Sequence, residues 1–279
     1  MKIRHAVITA GGKGHRRIPL QTASDVEGQS RTALWLLLEE ARAAGIESVR
    51  IVVQPGDEAF YLEAAGELSD GLTFVAQDQP RGYGDAVLRA GRSLGFEPFL
   101  LMVSDHLFVS LDPARNCARQ LVETAEEYGA AVSAVQSTHE SRLGAFGTVT
   151  GPLYGRAAGL YEVKRVREKP TPTLAEQELM APGLRPGHYL CFFGMHVITP
   201  AVIGILAEQS EEAGEEGLGL SPALDALASR ERYLALEIAG RRYDLESRHG
   251  LLIAQLALAL HGKRREEILA SLLELMIQR

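Results

Sequence analysis

Gly11, Gly12 and Gly14 stand interleaved with Lys13, Arg16 and Arg17, directly behind an apolar run ending at Thr9. Glycines let backbone N–H groups approach a ligand closely and converge on an anion. No acidic residue follows until Asp25, so the loop is cationic within a chain of net charge −7. That combination suits phosphate groups. Two common phosphate loops do not fit it. A dinucleotide fold wants a third glycine for helix packing, and counting from Gly12 and Gly14 that place holds Arg17. It also wants an acidic residue after the second strand, where this chain has Gln54 and Pro55. A P-loop needs Gly-Lys-Ser/Thr four residues beyond a first glycine, which Gly12-Lys13-Gly14 does not supply.

Two later segments carry chemistry of the same kind. In Gln77-Asp78-Gln79-Pro80-Arg81-Gly82-Tyr83-Gly84-Asp85-Ala86, a glutamine stands where a strand should end and a glycine where a helix should start. An amide there can read a nucleobase, and a bare backbone lets the base pack on it. Ser104-Asp105-His106 follows the apolar run Phe99–Val103. A carboxylate just past a buried strand lies at the sheet's carboxyl edge, where ligands bind in open α/β folds. Asp105 can hold Mg2+ against triphosphate oxygens, because Mg2+ keeps several waters and needs only one or two protein carboxylates.

The elements that must position these groups alternate. Ile3–Thr9, Val49–Gln54, Leu72–Ala76 and Phe99–Ser104 are short apolar runs and read as buried parallel strands. Between them lie helical patterns: Thr32–Ala44 ending at Gly45, Tyr83–Leu94 ending at Gly95, and Asp112–Tyr128, capped by Asp112, ending at Gly129. Strand-like pieces follow at Ala130–Gln136, Phe146–Val149, Gly159–Val166, Tyr189–Ile198 and Tyr233–Ile238. Thr199-Pro200 and Ser221-Pro222 each pair a capping hydroxyl with a first-turn proline. Gln209–Gly219 reads as a surface loop, and Glu246–Arg279 as helix broken near Gly262. The expected architecture is α/β, a doubly wound sheet with a ligand crevice at the strands' carboxyl ends. A single domain of 1–279 is expected, divided into a half that carries the nucleotide-binding groups (1–136), a second half (137–245) and C-terminal helices (246–279).

With 279 residues, 46% of them hydrophobic, the chain can bury a full core. An acidic balance argues against a nucleic-acid binder. No apolar stretch approaches the ~20 residues of a membrane helix, and the N-terminal run is too short for a signal peptide. The only cysteines, Cys117 and Cys191, read as reduced buried thiols. A cytoplasmic protein with no nucleic-acid or membrane partner is expected. Trp35 reads as core, and the scattered histidines show no metal-ligand spacing. Leu251–Leu260 and Ile268–Ile277 read as helices shared between core and a subunit interface, consistent with a homo-oligomer, dimer or tetramer.

The glycine loop resembles the signature Gly-x-Gly-Thr-Arg-x-x-Pro-Leu-Thr of sugar-phosphate nucleotidyltransferases, and the bacterial UTP–glucose-1-phosphate uridylyltransferases in particular. Gly12, Gly14, Arg16, Pro19 and Leu20 match, while His15 replaces the threonine. The resemblance runs on through Thr32–Ile46 and beyond Asp244, over nearly the whole chain. It implies a Rossmann-like nucleotidyltransferase fold, with a central mixed, mostly parallel sheet flanked by helices. It also implies joining of a nucleoside triphosphate, UTP for preference, to a sugar 1-phosphate, with release of pyrophosphate. By the same resemblance Gly11, Gly12, Gly14 and Arg16 hold the triphosphate, and Gln77 and Gly82 the base. Gly147, Glu168 and Lys169 hold the sugar phosphate, from Gly144-Ala145-Phe146-Gly147 and Glu168-Lys169-Pro170. Asp105 and Asp244 take Mg2+, and Arg16, Lys169 and Asp105 carry catalysis.

The chain departs from that pattern in three places. The family's Pro-Lys pair is missing from Thr22–Arg31, where Asp25 and Glu27 stand instead, leaving Arg31 or Lys13 as substitute cations. Asp244 is followed by Leu245-Glu246 rather than x-Gly, and the family's Gly-x-Tyr is Gly194-Met195-His196. These departures carry the alternative reading, a catalytically weak or inactive homologue that binds nucleotide or nucleotide sugar as a regulator.

Overall fold

A computed structural model of the chain describes residues 1–12, 16–155, 159–212 and 217–277. Of the glycine loop, Lys13, Gly14 and His15 therefore lie outside the described residues. In chain order the strands begin with β1 (His5–Thr9), β2 (Thr22–Ser24), β3 (Ser30–Thr32), β4 (Ser48–Val53), β5 (Leu72–Ala76), β6 (Phe99–Val103) and β7 (His106–Ser110). They continue with β8 (Ala131–His139), β9 (Thr148–Thr150), β10 (Leu160–Glu162), β11 (Arg165–Arg167), β12 (His188–Ile198), β13 (Tyr233–Glu237) and β14 (Gly240–Asp244). The helices are α1 (Ala33–Ala43), α2 (Glu58–Ala65), α3 (Tyr83–Ser93), α4 (Cys117–Tyr128), α5 (Pro172–Glu178), α6 (Pro200–Glu212), α7 (Leu220–Arg230), α8 (Gly250–His261) and α9 (Arg265–Ile277).

Ten strands form one mixed sheet in the order β10-β13-β8-β12-β6-β1-β4-β5, with β9 beside β12 and β11 beside β9. On one flank β6, β1, β4 and β5 run parallel; β12 then enters antiparallel to both β6 and β8. Alternation along each strand feeds two cores. Ala6 and Ile8 of β1, with Val49, Ile51 and Val53 of β4, pack toward α1, α4 and α8. Val7, Val52, Phe99 and Leu101 pack on the other face with α3, α6 and α7. A strand covered on both faces reads as a continuous apolar run, which is why β1, β4 and β6 were legible; β5, at the sheet edge, is only partly covered. The expectation of a mixed sheet flanked by helices is met.

Several boundaries differ from expectation. Helix α4 starts five residues late because the Asn116 side chain, not Asp112, accepts the capping bond, from the Arg119 amide at 2.8 Å. Asp112 instead accepts from Ala114 N and pairs with Arg115, closing a turn. Helices α6 and α7 begin where the prolines indicated, but neither hydroxyl caps. Thr199 Oγ1 is buried without a partner among the described residues, and Ser221 lies inside the first turn, after Gly219. The single strand Gly159–Val166 is two, β10 and β11, because the chain changes partner: Val163 N donates to Tyr233 O, and Lys164 N to Thr150 O. Phe146–Val149 shifts to β9 for a similar reason, Phe146 N closing a turn on Leu143 O. The acidic segment Gln209–Gly219 is helical as far as Glu212, and Leu218 is buried. Trp35 is only half-buried, its Nε1 donating to Glu67 and its ring under Arg31. Cys117 and Cys191 are free and buried, as expected.

Candidate active site

The parallel strands β1, β5 and β6 deliver Thr9, Gln77 and Asp105 to one edge of the sheet. Ala10 N donates to Val52 O, and Gln77 N to Val53 O, so the chain leaves the sheet in register just where the glycines begin. Gly11, Gly12, Gln77, Pro80, Gly82, Tyr83 and Asp105 are among the residues around a cleft of about 270 Å³. A Cβ on Gly11 would stand 3.0 Å from Gln77 Oε1, so any side chain there would press on the amide. Gly82 has φ +105°, and a Cβ on it would stand 2.6 Å from Leu218 O. The glycine is thus fixed by the chain packed behind it, which also takes the Gly84 amide on the Leu218 carbonyl.

A second cleft of about 280 Å³ adjoins the first, lined by Tyr83, Val103, Asp105, Phe146, Gly147, Glu168, Phe192 and His196 among others. The two share Tyr83, Val103 and Asp105. Asp105 is therefore the carboxylate at their junction. His106 Nδ1 donates to Asp105 Oδ1 at 2.6 Å and orients it. Tyr83, between the lobes, has its phenol pushed up in pKa by burial.

In the second lobe a Cβ on Gly147 would reach 2.5 Å from the Phe192 ring and 3.0 Å from Glu168 Oε2. Glu168 is held by the Ser221 hydroxyl, which donates to its Oε2 at 2.6 Å. That bond is where the hydroxyl expected to cap α7 goes. Lys169 is exposed with φ +44°, one of two non-glycine residues at positive φ among those described, and Pro170 follows it. Left-handed backbone is costly for lysine and disfavoured before proline, a form of strain that clusters at functional sites. The Arg242 guanidinium lies 3.9 Å from the Phe146 ring centroid, and burial lowers its pKa to about 10.

His196 was left without a role by its sequence. It carries a buried hydrogen-bond chain: Tyr233 Oη meets Ser133 Oγ at 2.5 Å, and Ser133 Oγ meets His196 Nδ1 at 2.6 Å. All three groups can both donate and accept, so the chain closes on itself without a charge. Burial lowers the His196 pKa to about 3, so the ring is neutral. Tyr83 and His106 were missed as well, although both stood inside quoted segments. Their signal was adjacency to Gly82 and Asp105.

Not every expected residue meets the others. Arg16 lines a neighbouring cleft with Arg17, Asp57, Phe60 and Tyr61, its Nη1 3.5 Å from Asp57 Oδ1, while its carbonyl accepts from Tyr61. Asp244, the last residue of β14, pairs with His106 of β7, and Leu245 N donates to Asp105 O at 2.8 Å. The Asp244 Oδ1 accepts from the amides of Glu246 and Ser247. Arg31 does not turn inward. It pairs with Glu67 at 2.8 Å and Asp25 at 3.7 Å and stacks on Trp35. The β2–β3 hairpin leans on the C-terminal helices instead, through Lys263 with Glu27 and Lys263 N with Val26 O. Lys13, the other substitute cation, and Gly14 are outside the described residues.

Comparisons with known proteins bear on the family and the fold. The model of the nucleotidyl transferase family matches residues 5–241. The UTP–glucose-1-phosphate uridylyltransferase 2 of Streptococcus pyogenes serotype M3 is 30% identical over 98% of this chain and 96% of its own length. Among solved structures, the UTP-bound UGPase of Acinetobacter baumannii superposes with TM-score 0.74 at 22% identity, over 98% of this chain and 99% of that one. A UDP-glucose pyrophosphorylase complexed with UDP-glucose gives 0.73 at 24%, over 91% and 98%. At those identities the structures speak for the fold. The family match over most of the chain and the full-length relative say more: this chain belongs to the nucleotidyl transferase family.

Proposed function

We propose that the chain couples UTP to glucose 1-phosphate, forming UDP-glucose and pyrophosphate. One observation carries the reading: two clefts at the sheet's carboxyl edge meet at a carboxylate, Asp105. The first offers glycine backbone and a buried amide, suited to a nucleotide. The second offers Glu168 beside Gly147, suited to sugar hydroxyls, with Lys169 following for the sugar phosphate. The relatives named for UTP and glucose 1-phosphate supply the choice of substrates.

In this reading a sugar-phosphate oxygen attacks the α-phosphorus in line. The new P–O bond forms as the bond to the β-phosphate oxygen breaks, and pyrophosphate leaves with that electron pair. The attacking phosphate is already ionised, so no protein nucleophile is required. Lys169 orients the nucleophile, and Gly11, Gly12 and Gly14 with Arg16 hold the β- and γ-phosphates. To reach them Arg16 exchanges its Asp57 contact for phosphate oxygens. Asp105 and Asp244 fit a hard cation: both are oxygen donors, and the Leu245–Asp105 backbone bond keeps their segments together. Mg2+ retains several of its waters, so one or two protein carboxylates suffice to hold it. When bound, Mg2+ supplies screening of the charges that converge on the α-phosphate.

Among the described residues no helix is long and apolar enough to cross a membrane. We further propose a single cytoplasmic domain. The apolar side chains that α9 exposes at Leu273, Leu275, Met276 and Ile277 support a homo-oligomer. The second reading, a nucleotide-binding regulator with little turnover, is favoured by Arg31 being tied to Glu67 and Arg16 facing Asp57. Pyrophosphate release from UTP with glucose 1-phosphate and Mg2+ separates the two. Release supports the enzyme; UTP binding without release supports the regulator.

A further inference from the structure

Behind the nucleotide lobe a polar chain runs from Gln77 into helix α3, and its far members, Asp85 and Arg89, have no part in the proposed reaction. Gln77 is 3% exposed and Asp85 5%. Gln77 Nε2 donates to Asp85 Oδ2 at 2.7 Å and also approaches Gly82 O at 3.4 Å. Arg89, one turn further along α3, donates through Nε to both Asp85 oxygens, at 3.2 and 3.0 Å. Gln77 Oε1 is turned the other way, onto the bare Cα of Gly11 at the cleft.

A carboxylate flanked by a donor-only guanidinium can only accept, so the side of the amide facing Asp85 must be its NH2. A glutamine amide alone is indifferent to a flip of its two ends. Here the buried Asp85 fixes the orientation. The cleft is met by a carbonyl oxygen, an acceptor.

We propose that Asp85, held by Arg89, is a positioning residue that sets the polarity of Gln77 and so selects an imide base, uracil or thymine, over cytosine. The proposal rests on the nucleotide reading of this cleft. An imide presents a donor, N3–H, to the Gln77 oxygen. Cytosine presents the N3 lone pair, and two acceptors face each other with no proton between them. A site built to hydrogen-bond a group rejects the analogue that lacks it more strongly than an apolar pocket rejects a missing methylene.

Removing the acceptor makes the proposal testable. In D85L the amide loses the Oδ2 that Gln77 and Arg89 share and keeps only the longer contact to Gly82 O, so either end can turn to the base. The experiment measures binding of UTP, CTP and 3-methyl-UTP, with Mg2+, to the wild-type protein, D85L, D85E and Q77A. The wild type should favour UTP over CTP and over 3-methyl-UTP, which has no N3–H, by ~10-fold or more. D85L should lower the UTP:CTP ratio several-fold, to within about 3-fold of unity. D85E, still an acceptor, should keep the ratio, and Q77A should abolish it.

If D85L weakens UTP and CTP alike and the ratio stands, Asp85 merely braces α3 and the proposal is overturned. If D85L does not fold, D85E and 3-methyl-UTP carry the test. A lost ratio in D85E, or wild-type binding of 3-methyl-UTP as tight as UTP, overturns it equally. Failure of the nucleotide reading looks different: the wild type binds none of the three, or Q77A keeps the full preference.

Discussion

The backbone N–H of Leu245 donates to the carbonyl of Asp105 at 2.8 Å, and so the segment that carries Asp244 is fastened to the carboxylate at the meeting of the two clefts. The β7–β14 ladder sets this register, pairing His106 with Asp244. Two segments far apart in sequence are thereby held together by a two-stranded sheet outside the main one, although Asp244 itself lines neither cleft.

Removing the buried amide should cost nucleotide affinity. Gln77→Ala is expected to weaken UTP binding by ~1–2 kcal/mol, the usual scale for a lost neutral partner. Titration calorimetry reads this directly; unchanged affinity would take Gln77 out of the site.

Lys169 separates function from stability. Its φ of +44° costs a lysine roughly 1–2 kcal/mol that glycine does not incur. Lys169→Gly should raise or preserve the melting temperature while raising KM for the sugar phosphate and lowering kcat. Lys169→Ala keeps the strain and should lose the same activity without that gain. A glycine variant that melts lower while retaining activity contradicts both parts.

Gly147→Ala should act on one substrate only. The added methyl meets the Phe192 ring at 2.5 Å and Glu168 Oε2 at 3.0 Å, inside the second lobe. The sugar-phosphate KM should rise while UTP affinity changes little. Equal loss of both substrates would mean that the two lobes do not divide the substrates.

His196 predicts an acid limb in stability. Its folded pKa of about 3 lies below the ordinary 6.5, so between these values the unfolded chain binds the extra proton. The contribution is complete above pH 6.5 and is lost as pH falls toward 3. At pH 5 the loss is about 2 kcal/mol, from the linkage relation with those two values. Denaturant unfolding of His196→Asn should show a flatter fall from pH 7 to pH 5 than the wild type. Parallel curves would mean that the ring is not held neutral.

The strand–helix alternation was legible because strands buried on both faces read as apolar runs, and because helices closing on Gly45, Gly95 and Gly129 announce their ends. Gln77, Asp105, Gly147 and Glu168 were legible for another reason: each stands at the end of such an element, inside a recognisable motif. Helix boundaries were not, since caps depend on which competing side chain reaches the amides. Asn116 outreached Asp112, and Ser221 turned to Glu168. The β7–β14 pairing, the Asp85–Gln77 contact and the Tyr233–Ser133–His196 chain were invisible. Each joins residues whose local pattern says only strand or helix, and only the tertiary packing gives them a polar partner. Arg31 shows the same limit from the other side: a cation near the right place in sequence is spent on Glu67 and Trp35.

The central claim is that the two clefts bring two anionic substrates together at Asp105. Its most direct measurement is pyrophosphate release from UTP and glucose 1-phosphate, with and without a divalent ion, in wild type and Asp105→Asn. The account predicts strictly divalent-dependent release, lowered by at least ~10²-fold in the variant, the scale of losing electrostatic stabilisation of a transition state. Release that persists without a divalent ion, or an Asp105→Asn protein that turns over at the wild-type rate, contradicts it.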